Sequence, residues 1–205
     1  MGLYRDQILP RVQDRAMDRR ENRPVRARVC SGLFGDVLEI GFGTGLNVPY
    51  YPSEVTRVLA IEPSSLCLRI AEPRIAQSTI PVVPMGLNGE RLGLQSEQCD
   101  AALSTWTLCT IPNVAAALGE MRRVLKPGGA LHFVEHGHAP DPKTQRWQRR
   151  LEPLNRRIAG GCHLTRDIPA LIEEAGFAVE KVETYYLKGD PKPVGYTFEG
   201  RAIKR

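Results

Sequence analysis

Three features of the sequence carry chemistry. The apolar run Val37-Leu38-Glu39-Ile40 ends in Gly41-Phe42-Gly43-Thr44-Gly45. Glycines there remove Cβ atoms where the backbone must turn sharply and pass close to a ligand. Glu62, 17 residues after Gly45, closes a second apolar run, and an acid at that place can accept both hydroxyls of a ribose. Glu135 and His136 close a later run. A histidine poised near neutral pH can take a proton or orient an acceptor, with Glu135 as its orienting partner or as a strand-end acid.

The glycine turn has a competing reading as a dinucleotide fingerprint, which would make the chain an NAD-dependent oxidoreductase. In G-x-G-x-x-G the third glycine falls one residue later than Gly45, where Leu46 stands. Dinucleotide turns also aim a helix N-terminus at a pyrophosphate. Glu39, two residues before the first glycine, would sit badly beside that charge and suits a cationic amino group. A non-catalytic module, binding whichever cofactor the turn takes without turning it over, is a further reading.

Other groups are weaker. His132, His136 and His138 are evenly spaced, but a tetrahedral metal site would need help from Cys109 and Cys162, and the expectation is no metal. Cys162, His163 and Arg166 cluster before a helix, where Thr165 or Asp167 can cap; Gly160-Gly161 offers a flap. Trp106 and Trp147 are candidates to wall an apolar pocket, one of the two being expected to do so.

The elements that must position these residues alternate. Strands are expected at 36–41, 57–61, 80–83, 101–104, 130–135, 179–186 and 195–203. Helices are expected at 44–50, 64–77, 114–125 and 166–175. The first 28 residues read as a polar helical lead-in broken at Pro24, either a lid that includes Tyr4 or a tail. Alternation of this kind implies βαβ crossovers and a parallel sheet covered on both faces. The last two strands, with no helix between them, imply an antiparallel pair. The fold class is therefore α/β: a Rossmann-like, mostly parallel seven-stranded sheet, residues 1–205 forming one domain. Ligands in such sheets bind at the carboxyl ends of the strands.

Composition narrows the class. The 205 residues are 42% hydrophobic and 25% charged, a mixture that excludes disordered, collagenous and disulfide-scaffold proteins. No run approaches the ~20 apolar residues of a membrane helix, and the charged N-terminal segment is not a signal peptide. Five scattered cysteines without a CxxC pair fit reduced thiols, so a cytoplasmic address is expected. The net charge of +5 rests mainly on arginine. Residues 1–28 hold eight arginines against four acids, and residues 143–157 hold six basic residues against Glu152. Their helical spacing reads as solvated helix faces rather than a nucleic-acid surface; peripheral contact with an anionic membrane stays open.

With these residues in view, the chain resembles the class I S-adenosylmethionine-dependent methyltransferases, whose first motif is a (V/I)LE(I/L)GxGxG strand and turn and whose second is the acid ending strand two. Asn88-Gly89-Glu90 occupies that family's adenine-contacting turn, Asn88 replacing an aspartate. Ser104–Leu108 and Arg123–Gly129 follow in family order. A narrower resemblance rests on Leu108-Cys109-Thr110-Ile111, Phe133-Val134-Glu135-His136, Trp147-Gln148, Leu151-Glu152-Pro153 and Gly161–Arg166. These recur in the group that includes the animal alkyl-thiol S-methyltransferases, whose N-terminal hydrophobic anchor has no counterpart in the charged segment here.

The resemblance implies S-adenosylmethionine as cofactor and S-adenosylhomocysteine as product. It implies Glu39 near the methionine amino group, Gly41, Gly43, Gly45 and Asn47 along the methionine and ribose, and Glu62 and Pro63 at the ribose. Asn88, Gly89 and Glu90 would frame the adenine; Ser104, Thr105 and Leu108 would floor the methyl end. The catalytic candidates are His136 and Glu135. The acceptor is a small molecule, a thiol favoured, with a quinone, an amine or a phospholipid headgroup as alternatives.

Overall fold

A computed structural model describes residues 2–85 and 89–205. Its seven strands are β1 (Gly35–Ile40), β2 (Val55–Ile61), β3 (Val82–Pro84), β4 (Cys99–Thr105), β5 (Leu125–His136), β6 (Phe177–Tyr186) and β7 (Tyr196–Lys204). They lie in the order β3-β2-β1-β4-β5-β7-β6. The five strands from β3 to β5 are parallel, and β7 runs antiparallel to both β5 and β6. This is the expected fold class. The chain winds outward from β1 to β3, then returns to β4 on the other side of β1. The carboxyl ends of β1 and β4 therefore flank the switch point where ligands bind in open α/β sheets.

Alternation along the strands builds two cores, because successive side chains face opposite sides of a sheet. Leu38, Ile40, Leu59, Ile61, Leu131 and Phe133 face one side. They pack against α4 (Val114–Val124) and α6 (Ile168–Glu174). Val37, Val58, Leu103 and Val134 face the other, under α2 (Asn22–Cys30) and α3 (Ser65–Ala76). Two more helices lie outside these layers: α1 (Leu9–Met17) and α5 (Pro142–Ile158). The short α7 (Lys192–Gly195) precedes β7.

Several expected elements differ. Residues 44–50 form no α-helix, only a 3-10 turn at Val48–Tyr50. Gly41, Gly43 and Gly45 all have positive φ, and Gly45 and Val48 donate three residues back, to Phe42 and Gly45. The segment is a chain of tight turns, which sends Asn47 inward. Pro24 does not break the lead-in; it lies in the first turn of α2, where a missing N–H is harmless. β5 begins at Leu125, and its register against β4 shifts between Cys99 and Ala101, with Gly128 at φ +76°. The arginine-rich segment after β5 is a full helix. Asp141 caps α5 by accepting from the Thr144 N–H at 2.8 Å, and Pro142 takes the first position.

Candidate active site

The glycine turn wraps the carboxyl end of β1. A Cβ at Gly41 would come within 2.0 Å of Thr107 Oγ1, so only glycine fits beneath the loop that follows β4. At Gly43 a Cβ would meet nothing closer than 3.7 Å, and φ is +57°. One glycine packs protein against protein; the other leaves a bare stretch of backbone. Glu62 fixes the turn to the end of β2, its carboxylate accepting from the Gly43 N–H at 2.9 Å and the Ser64 N–H at 2.8 Å. Burial raises the Glu62 pKa and these two N–H groups pull it back. Two lone-pair sites remain on the carboxylate for a ligand. Pro63 is exposed beside it.

Beneath the turn lies a buried polar network that the sequence reading identified only in part. Glu39 is fully buried. It accepts from the Tyr51 hydroxyl and from Asn47 Nδ2 at 2.8 Å. Asn47 Nδ2 also reaches Thr105 Oγ1 at 3.0 Å, while its Oδ1 accepts from Arg26 at 2.7 Å. Burial pushes Glu39 up to about 7, against the pull of Tyr51, Asn47 and the Arg26 charge. The Arg26 guanidinium lies 4.8 Å from the centre of the Trp106 ring. Arg26 and Tyr51 gave no signal in the sequence, since neither belongs to a motif; an arginine and a tyrosine look alike wherever they fall on a polar helix or in a turn.

At the end of β4 the chain kinks. Trp106 is a non-glycine residue at φ +50°, a costly conformation of the kind that clusters at functional sites. Its indole Nε1 is buried and unpartnered among the described residues. The ring centroid lies 6.2 Å from that of His136. Trp147 sits 48% exposed on α5, so Trp106 is the one of the two that borders the site.

Glu135 does not orient His136. Neighbours on a strand face opposite sides, and Glu135 turns to the α4 side. There its carboxylate accepts from Ser104 Oγ at 2.7 Å, from the Thr107 and Leu108 N–H groups at 2.9 Å, and from the Cys109 N–H at 3.1 Å. It is a clamp on the loop after β4. Ser104 and Leu108 are fully buried within that clamp. His136 instead lines an open cleft of about 250 Å³ with Ala16, Met17, Arg19, Asp190 and Val194.

The expected group after α5 divides. Cys162 Sγ lies 3.5 Å from Cys109 Sγ and 3.9 Å from His136 Nδ1. The Cys109 hydrogen bond and then His136 lower the pKa of Cys162, against the effect of burial, and the same contact raises that of Cys109. His163 and Thr165 turn away to Glu152 at 3.0 and 2.6 Å. Arg166 donates to the Leu108 carbonyl and to that of Ile111 at 2.8 Å. Asp167, rather than Thr165, caps α6. At the turn expected to contact adenine, Gly89 is buried with Ile40 Cγ2 3.0 Å from its missing Cβ, and Glu90 accepts from the Asn113 N–H at 2.9 Å. Asn88 lies outside the described residues. His132 belongs to the α2 side, its Nδ1 at 3.1 Å from the Val29 carbonyl.

Comparisons with known proteins bear on the family and the fold. Residues 38–133 match the methyltransferase domain family. Thiol S-methyltransferase TMT1B of Rattus norvegicus is 36% identical over 174 residues, covering 82% of this chain and 70% of that protein. Human thiol S-methyltransferase TMT1A is 36% identical over 153 residues, covering 72% and 62%. A solved S-adenosylmethionine-dependent methyltransferase of Thermotoga maritima shares the fold, with a TM-score of 0.71 at 21% identity and full coverage of both chains. The chain belongs to the class I S-adenosylmethionine-dependent methyltransferases, in the group that includes the thiol S-methyltransferases. It is an enzyme, and S-adenosylmethionine is its cofactor. The site fits that cofactor: a bare glycine backbone, a clamped acid with lone pairs to spare, and a buried carboxylate below.

Proposed function

We propose that the acceptor is a small thiol and the product a thioether. The observation that carries the acceptor class is the extent of identity with rat TMT1B. A match over 82% of this chain is too long to leave out the segment from β5 to α6, which supplies His136 to the cleft. S-adenosylmethionine supplies an activated methyl, so catalysis rests largely on holding the acceptor in line and excluding water.

In this reading Glu39, Asn47 and Tyr51 underlie the methionine end, and Glu62 with Gly43 holds the ribose. Gly89 and Glu90 border the adenine, and Asn88 is assigned to the same turn. Trp106 and His136 face the acceptor. Glu135 acts on the reaction only through the loop it clamps. α1 and the turn after it form the lid: Met17 and Arg19 line the cleft, and Arg19 is held by a two-pronged pair with Asp190 at 2.7 and 3.0 Å. Transfer of labelled methyl to small alkyl thiols, lost in Glu62→Ala, is the expected result. Label appearing only in a quinol or an amine would overturn the thiol reading.

We also propose peripheral contact with an anionic bilayer through α1 and α5. Among the described residues no helix is long and apolar enough to cross a membrane. Leu3, Ile8 and Val12 are exposed on and before α1; Trp147, Leu154 and Ile158 are exposed on α5. Tyr4 joins the two by donating to the Ile158 carbonyl at 2.7 Å. Exposed arginines at 146, 149, 150, 156 and 157 accompany the apolar groups on α5, the pairing that favours anionic headgroups. Sedimentation with anionic but not zwitterionic vesicles is expected. All five cysteines are free, the state a reducing compartment maintains, and we place the protein on the cytoplasmic side.

A further inference from the structure

We propose that Cys109, Cys162 and His136 form a binding site for one zinc-like soft divalent ion, whose fourth position takes the sulfur of the acceptor. This rests on the thiol reading above and extends it. It also replaces the expectation that the chain carries no metal.

The geometry is that of a three-ligand site. The ligating atoms of the three residues all lie within 4.8 Å of one another, with 3.5 Å between the sulfurs and 3.9 Å from Cys162 Sγ to His136 Nδ1. Ligands about 2.0–2.3 Å from zinc in a tetrahedral array stand roughly 3.6–3.8 Å apart. The two spacings bracket that value. A sulfur pair at 3.5 Å is too wide for a disulfide, whose S–S distance is ~2.05 Å.

The three residues come from separate segments, and hydrogen bonds to the main chain fix the two cysteines. The His163 N–H donates to the Cys109 carbonyl at 2.8 Å. Asn155 Nδ2 donates to the Cys162 carbonyl at 2.8 Å, and Glu135 accepts from the Cys109 N–H at 3.1 Å. Such outer contacts are what fixes ligand orientation in metal sites. Packing alone would account for two buried cysteines among Leu164, Leu151 and Val194. It does not account for a histidine nitrogen within 4.8 Å of both sulfurs.

The chemistry suits a catalytic rather than a structural ion. Three protein ligands leave a fourth position open, and His136 connects the cluster to the cleft. Both cysteines are buried, whereas His136 is half-exposed, so entry is from the cleft side. Coordination deprotonates a thiol outright, and the proton is released to water. The acceptor sulfur then forms a bond to the methyl carbon while the sulfonium S–CH3 bond breaks, its electron pair staying on the S-adenosylhomocysteine sulfur. No oxidant or reductant is needed. The product thioether has lost the thiolate charge and is the weaker ligand, which favours its release.

The test uses Co2+ as the probe. Protein stripped with a chelator and titrated with Co2+ should develop thiolate-to-metal charge-transfer absorption that saturates near one equivalent. Cys162→Ser should lose it. So should His136→Ala, a less buried change that keeps the experiment interpretable if the cysteine variant misfolds; unchanged S-adenosylmethionine binding reports folding. Propanethiol added without S-adenosylmethionine should shift the visible bands, and each variant should form labelled thioether at least tenfold more slowly. Absence of charge transfer at one equivalent overturns the site. Bands indifferent to propanethiol overturn its role in holding the acceptor. Fewer than five free thiols in the purified, denatured protein would assign Cys109 and Cys162 to a disulfide and likewise overturn it. Full thioether formation in metal-free protein sinks the metal while the thiol reading stands. A thiol-responsive Co2+ spectrum with no methylated thiol sinks the thiol reading instead.

Discussion

At the residue scale, two acids with the same strand-end placement do different work. Glu62 keeps free lone pairs at the surface of the turn, whereas Glu135 spends its carboxylate on four donors inside the loop after β4. Glu62→Ala should therefore weaken S-adenosylmethionine binding roughly tenfold or more, as calorimetry would read. His136→Ala should leave that affinity within about threefold and lower kcat instead. Glu135→Gln should retain one acceptor oxygen and replace the other by a donor facing N–H groups. The expected result is a loss of stability of about 1–3 kcal/mol with a parallel loss of kcat, measured by denaturant unfolding and turnover. The difference between these acids was invisible in the sequence, because it depends on which side of the sheet each carboxylate faces.

At the scale of elements, the loops and helices set the site. The helix expected after the glycine turn is absent, and that absence is what lets Asn47 reach Glu39 and Thr105. α1 and the residues flanking it are tied down at three points: Tyr4 to Ile158, Asp14 to Arg74 at 2.9 Å, and Arg19 to Asp190. If α1 is the lid, Arg19→Ala should raise KM for the acceptor more than it lowers kcat, by the steady-state split. A KM indifferent to the change would make α1 a fixed wall. The α5 cap offers a control remote from chemistry. Asp141→Ala should cost about 1 kcal/mol and lower Tm by roughly 2–4 °C, with kcat unchanged.

At the scale of the whole molecule, two buried titrating groups oppose each other. Glu39, facing Tyr51, Asn47 and Arg26, is raised to about 7 from 4.5. The native state holds its proton more tightly, so its contribution is full below pH 4.5 and is lost as pH rises to about 7. His132, against Val29, Arg201 and Glu180, is lowered to about 4 from 6.5. Its contribution is full above pH 6.5 and is lost as pH falls to about 4. Each is at most about 3 kcal/mol, and over the shared window they nearly cancel. Glu39→Gln should steepen the loss of stability on acidification, whereas His132→Gln should make the protein more stable as pH falls from 7 to 4.5. Urea unfolding at several pH values measures both; parallel profiles for the two variants would refute the pairing.

The amino-acid sequence by itself determined the sheet, the glycine turn, the acid after β2 and the methyltransferase class. Those are local signals: strand periodicity, φ-permissive residues, and acids at element ends, each readable from neighbours in the chain. Tertiary structure alone decided that Glu135 clamps the loop after β4, that Arg26 and Tyr51 complete the buried network, and that Cys109 and Cys162 meet His136 from segments 26 or more residues apart. Contacts of that kind depend on strand order and on which face of the sheet a side chain takes, and no local pattern records either.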